Sequence, residues 1–224
     1  MTLVLLNKFL KRLIDLVISF IMILLLFPLF LFVAFLVWWN EGRPIFHKSL
    51  RYVTPERQIR VYKFRTMVRN SSDPQYQLIE KYMREGFMDI PLDSPVYTPI
   101  GRILERTQLV ETLQFFNVFL GQMSIVGNRP LPELNMRYLR EKAGWQRRLE
   151  SPAGMTGISQ VVGKYDLTPD ERLHLESLYS RVYNEGHIVL CDLYILYRTA
   201  ILILTGQGLP VKDAERFLMK RFSV

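Results

Sequence analysis

Two cations, Lys63 and Arg65, stand two residues apart in the stretch Arg57–Met67 (RQIRVYKFRTM). If that stretch is extended, alternation sends Ile59, Val61, Lys63 and Arg65 to one side, where the two cations can grip one anion together. A third cation, Arg129, lies in the turn Gly127-Asn128-Arg129-Pro130. A guanidinium on a constrained turn or strand holds phosphate better than one on a mobile tail. The bland alternatives are that Lys63 and Arg65 meet lipid headgroups and that Arg129 caps its turn. Ser151–Gly163 (SPAGMTGISQVVG) carries three glycines and a proline, which suits a loop whose backbone amides approach a ligand closely. Its spacing is neither that of a P-loop nor that of a dinucleotide fingerprint.

The overall charge agrees with an anionic partner. The 224 residues carry a formal charge of +8, which favours nucleic acid, an anionic lipid leaflet or a phosphorylated substrate without choosing among them. No nucleic-acid signature accompanies the charge, so nucleic acid is not expected as a partner. The single cysteine, Cys191, excludes an internal disulfide, and His47, His174 and His187 are too scattered to suggest a zinc site.

The elements that must hold these groups begin with a membrane anchor. From Leu16 to Trp39 no residue is charged, and about twenty apolar residues suffice to cross a bilayer. The run exceeds a signal-peptide core and is followed by no small-x-small cleavage site, so cleavage is not expected. Trp38 and Trp39 read as an interfacial exit. Lys8, Lys11 and Arg12 precede the run and Arg43, Lys48 and Arg51 follow it, so neither end reads as the outside. Pro28 removes a backbone donor in mid-segment, and the expected form is a re-entrant hairpin that returns to the same leaflet. A bitopic helix that tolerates its proline is the alternative. The expected organisation is an anchor over residues 1–41 and a membrane-associated domain over 42–224.

Along that domain, Asn70–Asp73 with Pro74 opens a polar surface helix over Gln75–Arg84, and Gly86–Pro99 reads as a loop. Arg102–Leu120 is apolar around most of a helix surface and is predicted as a deeply buried or interfacial helix closed by Gly121. Glu133–Lys142 and Pro169–Tyr183 read as helices. Ile188–Leu204 carries Asp192 and Arg198, so it is predicted to lie in the membrane plane or the core rather than to cross. Lys212–Phe222 is amphipathic and basic. The expected fold class is α+β, mainly helical, with interfacial amphipathic helices that bring the site to headgroup level.

In their order, Lys11-Arg12 to Asp15, Arg43-Pro44-Ile45-Phe46, Lys63-Phe64-Arg65-Thr66-Met67, Gly101-Arg102, Met123-Ser124-Ile125-Val126-Gly127, Arg129-Pro130, Gly154-Met155-Thr156-Gly157 and Asp192-Leu193 form a recognisable set. The set resembles that of the bacterial sugar transferase family, the monotopic polyprenyl-phosphate phosphoglycosyl transferases, over nearly the whole chain. The resemblance implies a bacterial inner-membrane protein of polysaccharide or glycoconjugate biosynthesis with its domain on the cytoplasmic face. The implied reaction moves a phosphosugar from a UDP-sugar to a polyprenyl phosphate through a covalent phosphosugar on an aspartate, assisted by Mg2+. It implies phosphate or nucleotide contacts for Lys63, Arg65, Arg102, Arg129, Pro130, Thr156 and Gly157. Cationic clamps and a metal make physical sense there, because both neutralise charge developing on diphosphate oxygens.

The family pattern breaks where its chemistry is done. Its aspartate-glutamate pair reads Val110-Glu111 here, and valine has no lone pair with which to attack phosphorus. Glu111 is then a residual Mg2+ ligand, a replacement nucleophile or a water-facing side chain. On a helix it starts about 100° round from residue 110, so replacement would need a shifted substrate. Leu113, Gln122 and Asn128 stand where the family has proline, an acidic residue and proline, and Ser49 and Val53 stand where it has Gln and Gly. The leading expectation is a pseudoenzyme, without cofactor, that partners or regulates an active transferase in a homodimer or heterodimer. The alternatives are an active Mg2+-assisted transferase using Glu111 or direct attack by the lipid phosphate, and a basic membrane-tethered binding module.

Overall fold

The computed structural model describes residues 3–84, 86–163 and 167–222. Helix α1 (Leu3–Glu41) is continuous through Pro28 rather than broken there. One missing rung in the backbone ladder is tolerated in so long and apolar a helix. Its buried stripe consists of Lys11, Asp15 and Ser19, then Phe30, Val33 and Val37, all on one face by their spacing. The remainder is an apolar coat in which Phe20, Leu24, Leu25, Leu31, Phe32 and Trp39 are each more than half exposed.

The two halves of that stripe meet different parts of the domain. Lys11 donates to the Val126 carbonyl at 2.8 Å and to Asp192 at 2.5 Å, and Asp15 accepts from the Ile125 amide at 3.0 Å. Phe30, Val33 and Val37 pack with Phe64, Leu104, Val110 and Leu113 in an apolar cluster of their own. Burying such side chains is worth roughly 1.5–3 kcal/mol each. The anchor is therefore part of the domain's packing.

Strands β1 (Phe46–Tyr52) and β2 (Gln58–Phe64) form an antiparallel hairpin with His47 opposite Lys63 and Arg51 opposite Ile59. Strand β2 lies inside the stretch expected to be extended, and Ile59 and Val61 are buried as alternation requires. The polar helix expected over Gln75–Arg84 is shorter. A 3-10 turn (Pro74–Tyr76) and α2 (Leu78–Tyr82) are separated by Gln77, whose left-handed φ of 48° interrupts the run. Strands β3 (Met83–Arg84) and β4 (Phe87–Met88) then pair, the first at the end of the expected helix and the second at the start of the expected loop.

The run expected as one helix to Leu120 is instead three pieces: α3 (Pro99–Arg106), a 3-10 turn (Leu109–Glu111) and α4 (Gln114–Phe119). Gln108, with φ 59°, makes the break. The break explains why apolar residues occur on all sides of the run. Leu104, Val110 and Leu113 pack beneath α1, whereas Val118 joins the main core.

Strand β5 (Ser124–Val126) leads through the Arg129 turn to α5 (Glu133–Arg140), and the chain returns as β6 (Gly154–Thr156), parallel to β5. Helix α6 (Ile158–Val162) follows, so Ser151–Gly163 is structured rather than the open loop expected. Backbone contact demands glycine here, since a Cβ on Gly154 would lie 2.1 Å from the Gly127 nitrogen. Helices α7 (Pro169–Glu185), α8 (Ile188–Thr205) and α9 (Val211–Phe222) agree with expectation to within two residues. A Thr168–Glu171 capping box starts α7. Helices α1 and α8 are long and apolar enough to cross a membrane. Helix α8 buries Ile188, Cys191, Asp192 and Ile195 and turns Leu190, Leu193, Tyr197 and Leu204 outward.

Candidate functional site

A 3-10 turn sends successive side chains about 120° apart, and this decides the fates of Val110 and Glu111. Val110 is 1% exposed and belongs to the buried apolar cluster that also holds Phe30, Val33 and Val37 of α1. Glu111 points elsewhere and is gripped by two cations. Lys63 donates to its Oε1 at 2.7 Å, and Arg129 donates to Oε1 at 2.5 Å and to Oε2 at 3.1 Å. Burial alone would raise the Glu111 carboxyl, but the charges of Arg129 and Lys63 outweigh it and hold the group well below the usual carboxylate range.

Each partner is fixed from behind. Lys63 follows Tyr62, whose amide is bound by the Asn117 side chain, and Asn117 also donates to the Arg60 carbonyl and to Gln122. The Arg129 carbonyl accepts from Arg148 at 2.8 Å. Arg148 in turn is paired with Glu176 at 2.6 Å, both side chains at or below 1% exposure. Asn128 donates to the Arg148 and Glu176 carbonyls and to Ser151 and Ser180. Asn128 is thus a buried polar tie for the turn.

A cleft of about 830 Å3 opens beside this cluster. Its walls carry Arg43, His47, Arg51, Lys63, Arg65 and Arg69, with Glu105 as the acidic residue among them. Burial, with Arg129 nearby, lowers the Arg51 guanidinium to about 10. Burial, with Lys63 and then Arg51 close by, lowers the His47 imidazole, which favours its neutral form at pH 7. A cavity of this size suits a small-molecule ligand, and its charge suits an anion.

The sequence-predicted residues separate into groups. Lys63 and Arg65 both line the cleft but share no partner. Lys63 serves Glu111, and Arg65 donates to the Glu41 and Gly42 carbonyls and to the Glu41 carboxylate, closing the negative end of α1. Arg65 Nε and Nη1 are buried without a hydrogen-bond partner among the described residues. Arg129 joins Lys63 through Glu111. Arg102 lies exposed on α3 and makes no ion pair among the described residues. Pro130 is buried in its turn, and Thr156 and Gly157 join the β6 end to that turn. The Gly127 amide donates to the Thr156 carbonyl at 2.8 Å, and Thr156 Oγ1 lies 2.8 Å from Thr199 Oγ1. Neither Thr156 nor Gly157 lines the cleft. Pro28 lies within α1, and Trp38 and Trp39 sit with Phe35 in an exposed aromatic group at its end. Sequence reasoning missed His47 and Arg51 as site residues. Their signal was the alternation at 47, 49 and 51, which the hairpin register sets on the face of Lys63.

Magnesium does not fit this donor set. It is held through one or two carboxylates together with waters and phosphate oxygens, and both oxygens of Glu111 are already committed to Lys63 and Arg129. No group of three or more His, Cys, Asp or Glu suited to a metal occurs among the described residues.

Residues 6–206 match the model of the family described as bacterial sugar transferase. The chain is 31% identical to the undecaprenyl-phosphate galactose phosphotransferase of Salmonella typhimurium, over 90% of this chain and 42% of that protein. It is 31% identical to the UDP-glucose:undecaprenyl-phosphate glucose-1-phosphate transferase of Klebsiella pneumoniae, over 86% of this chain and 40% of that protein. The chain thus spans about two-fifths of the length of these curated relatives. With the exopolysaccharide production protein PSS of Rhizobium leguminosarum bv. phaseoli it shares 31% identity over 89% of this chain and 98% of that protein. A match over most of the sequence and over nearly the whole of one relative leaves one assignment: the chain belongs to the bacterial sugar transferase family.

Proposed function

We propose that this chain is a membrane-bound member of its family that binds a sugar nucleotide or a polyprenyl phosphate without covalent transfer, and partners or regulates an active transferase in polysaccharide biosynthesis. The observation that carries the reading is the fate of residue 110. Where the resemblance calls for a nucleophilic aspartate, Val110 is buried against the anchor helix. Glu111 is a poor substitute, because a carboxylate whose two oxygens are held by Arg129 and Lys63 is a weakened nucleophile. The cationic walls of the cleft support a phosphorylated ligand, and the names of the relatives support a UDP-sugar and undecaprenyl phosphate as its chemical class.

The proposed setting is the cytoplasmic face of the bacterial inner membrane, with an anchor over residues 1–41 and a domain over 42–224. Although α1 runs unbroken through Pro28, support for an anchor that stays in one leaflet comes from its two ends. Lys11 near one end and Glu41 at the other are both bound to the same surface domain, whereas a crossing helix carries its ends to opposite faces about 30 Å apart. The outward face of α8 is apolar while its inward face packs on the core, which suits a helix lying in the interface.

The test is UMP release from a panel of UDP-sugars by the purified protein with undecaprenyl phosphate and Mg2+, beside Val110→Asp and Glu111→Ala variants. A silent parent that still binds UDP is the expected result. Turnover by the parent that is abolished in Glu111→Ala would overturn the proposal and identify Glu111 as the reactive group.

A further inference from the structure

The charges around Glu111 do not balance. Lys63, Arg129 and Arg51 act on one carboxylate, and Arg43, Arg65 and Arg69 line the adjoining cleft, where the acidic groups among the described residues are Glu105 in the wall and Glu41 paired with Arg65. A divalent cation entering here meets a net repulsive field, whereas a phosphate group meets preformed donors. Arg65 supplies two of them, since its buried Nε and Nη1 are unpartnered among the described residues and its side chain lines the cleft.

We infer that Glu111 is a built-in competitor for phosphate: it occupies the Lys63–Arg129 clamp that an incoming phosphate group takes over, so the cleft binds its ligand without a divalent cation. The inference rests on the reading of the cleft as a phosphate-ligand site. A carboxylate and a phosphate present the same paired oxygens to an arginine fork, so one can replace the other on Arg129. The clamp is the fixed party, because Arg148 holds the Arg129 carbonyl and Asn117 holds the strand beside Lys63. Glu111 sits at the end of a short 3-10 turn and is the group able to withdraw. Nothing in this exchange needs a metal, since the cations already supply the positive charge that Mg2+ would bring.

Two sources of the phosphate share this chemistry, a nucleoside diphosphate and a lipid phosphate. The experiment uses the full chain in detergent, with UDP in one arm and a short polyprenyl phosphate in mixed micelles in the other. Affinity is measured in EDTA and in Mg2+ for the parent, Glu111→Gln and Lys63→Gln. The expected result is binding in at least one arm that is unchanged by EDTA. It is strengthened on the order of tenfold or more in Glu111→Gln, as release of a charged hydrogen-bond pair predicts, and weakened in Lys63→Gln. The arm that binds identifies the source. Binding that requires Mg2+ and is lost in Glu111→Gln overturns the inference while leaving the cleft a phosphate site. No binding of either probe under either condition overturns both. The EDTA comparison on the parent decides the matter even if a variant fails to fold.

Discussion

Arg148 donates to the backbone carbonyl of Arg129 at 2.8 Å, so a residue nineteen positions away sets where the clamp's guanidinium stands. Because Arg148 is also the hydrogen-bonded counter-ion of the fully buried Glu176, Arg148→Met removes that bonded pair and leaves Arg172 as the nearby positive charge. The expected loss is about 3–5 kcal/mol. Adding Glu176→Leu recovers part of it, although Ser159 then loses the partner it holds at 2.8 Å. Urea unfolding of the two single variants and the double variant in detergent measures the coupling.

Replacing Glu111 by Gln leaves Lys63, Arg129 and Arg51 facing one another. A loss of about 2 kcal/mol is expected for this partly buried pair, less than for a fully buried one. The folded-state pKa of Glu111 is depressed, so its contribution is present above the unfolded value of about 4.3 and is lost as pH falls through the lower folded value. The parent should therefore lose stability more steeply than Glu111→Gln below about pH 4. Urea midpoints between pH 3 and pH 7 check this, and a parallel decline in both proteins would contradict it.

Val110→Asp sets a carboxylate among Phe30, Val33, Val37 and Leu113. The variant is expected to be destabilised by about 2–4 kcal/mol at neutral pH, because a buried charge without a partner must be desolvated or protonated. Thermal unfolding at pH 5 and pH 8 should reveal a larger deficit at the higher pH, where the ionised form is demanded. Equal stability to the parent at both values would mean that the side chain reaches the cleft.

Topology is open to labelling with little further engineering, since the one native cysteine, Cys191, is fully buried. Leu3→Cys and Asn70→Cys introduce exposed thiols on either side of the anchor. A membrane-impermeant maleimide should modify both from the cytoplasmic side in inverted vesicles and neither in intact spheroplasts. Opposite-side labelling would sink the re-entrant reading.

Much of the site was legible because it depends on local alternation and turn chemistry. Strand β2, the Arg129 turn and helix α7 follow from period-two patterning, from Gly127 with Pro130, and from a proline with acidic residues Asp170 and Glu171 at the helix start. What was not legible depends on long-range packing. The run through residue 120 looks like one helix by composition, and only the left-handed Gln108 divides it and turns Val110 from Glu111. Nothing near Arg65 in sequence announces that it ends α1 from 24 residues away. The Arg148–Glu176 pair joins residues 28 positions apart and leaves no periodic trace.

The bond from Lys11 to the Val126 carbonyl and Asp192 bears on how the protein can be prepared. A fragment trimmed of its first helix would expose the cluster around Phe64 and Val110 and strip the Ile125 amide of Asp15. It would also leave the Asp192 carboxylate without its ammonium. Such a fragment is not a soluble version of this molecule, and its failure to express or to bind would say nothing about the intact chain. The same helix that offers an apolar coat on one side completes the domain's polar and apolar packing on the other.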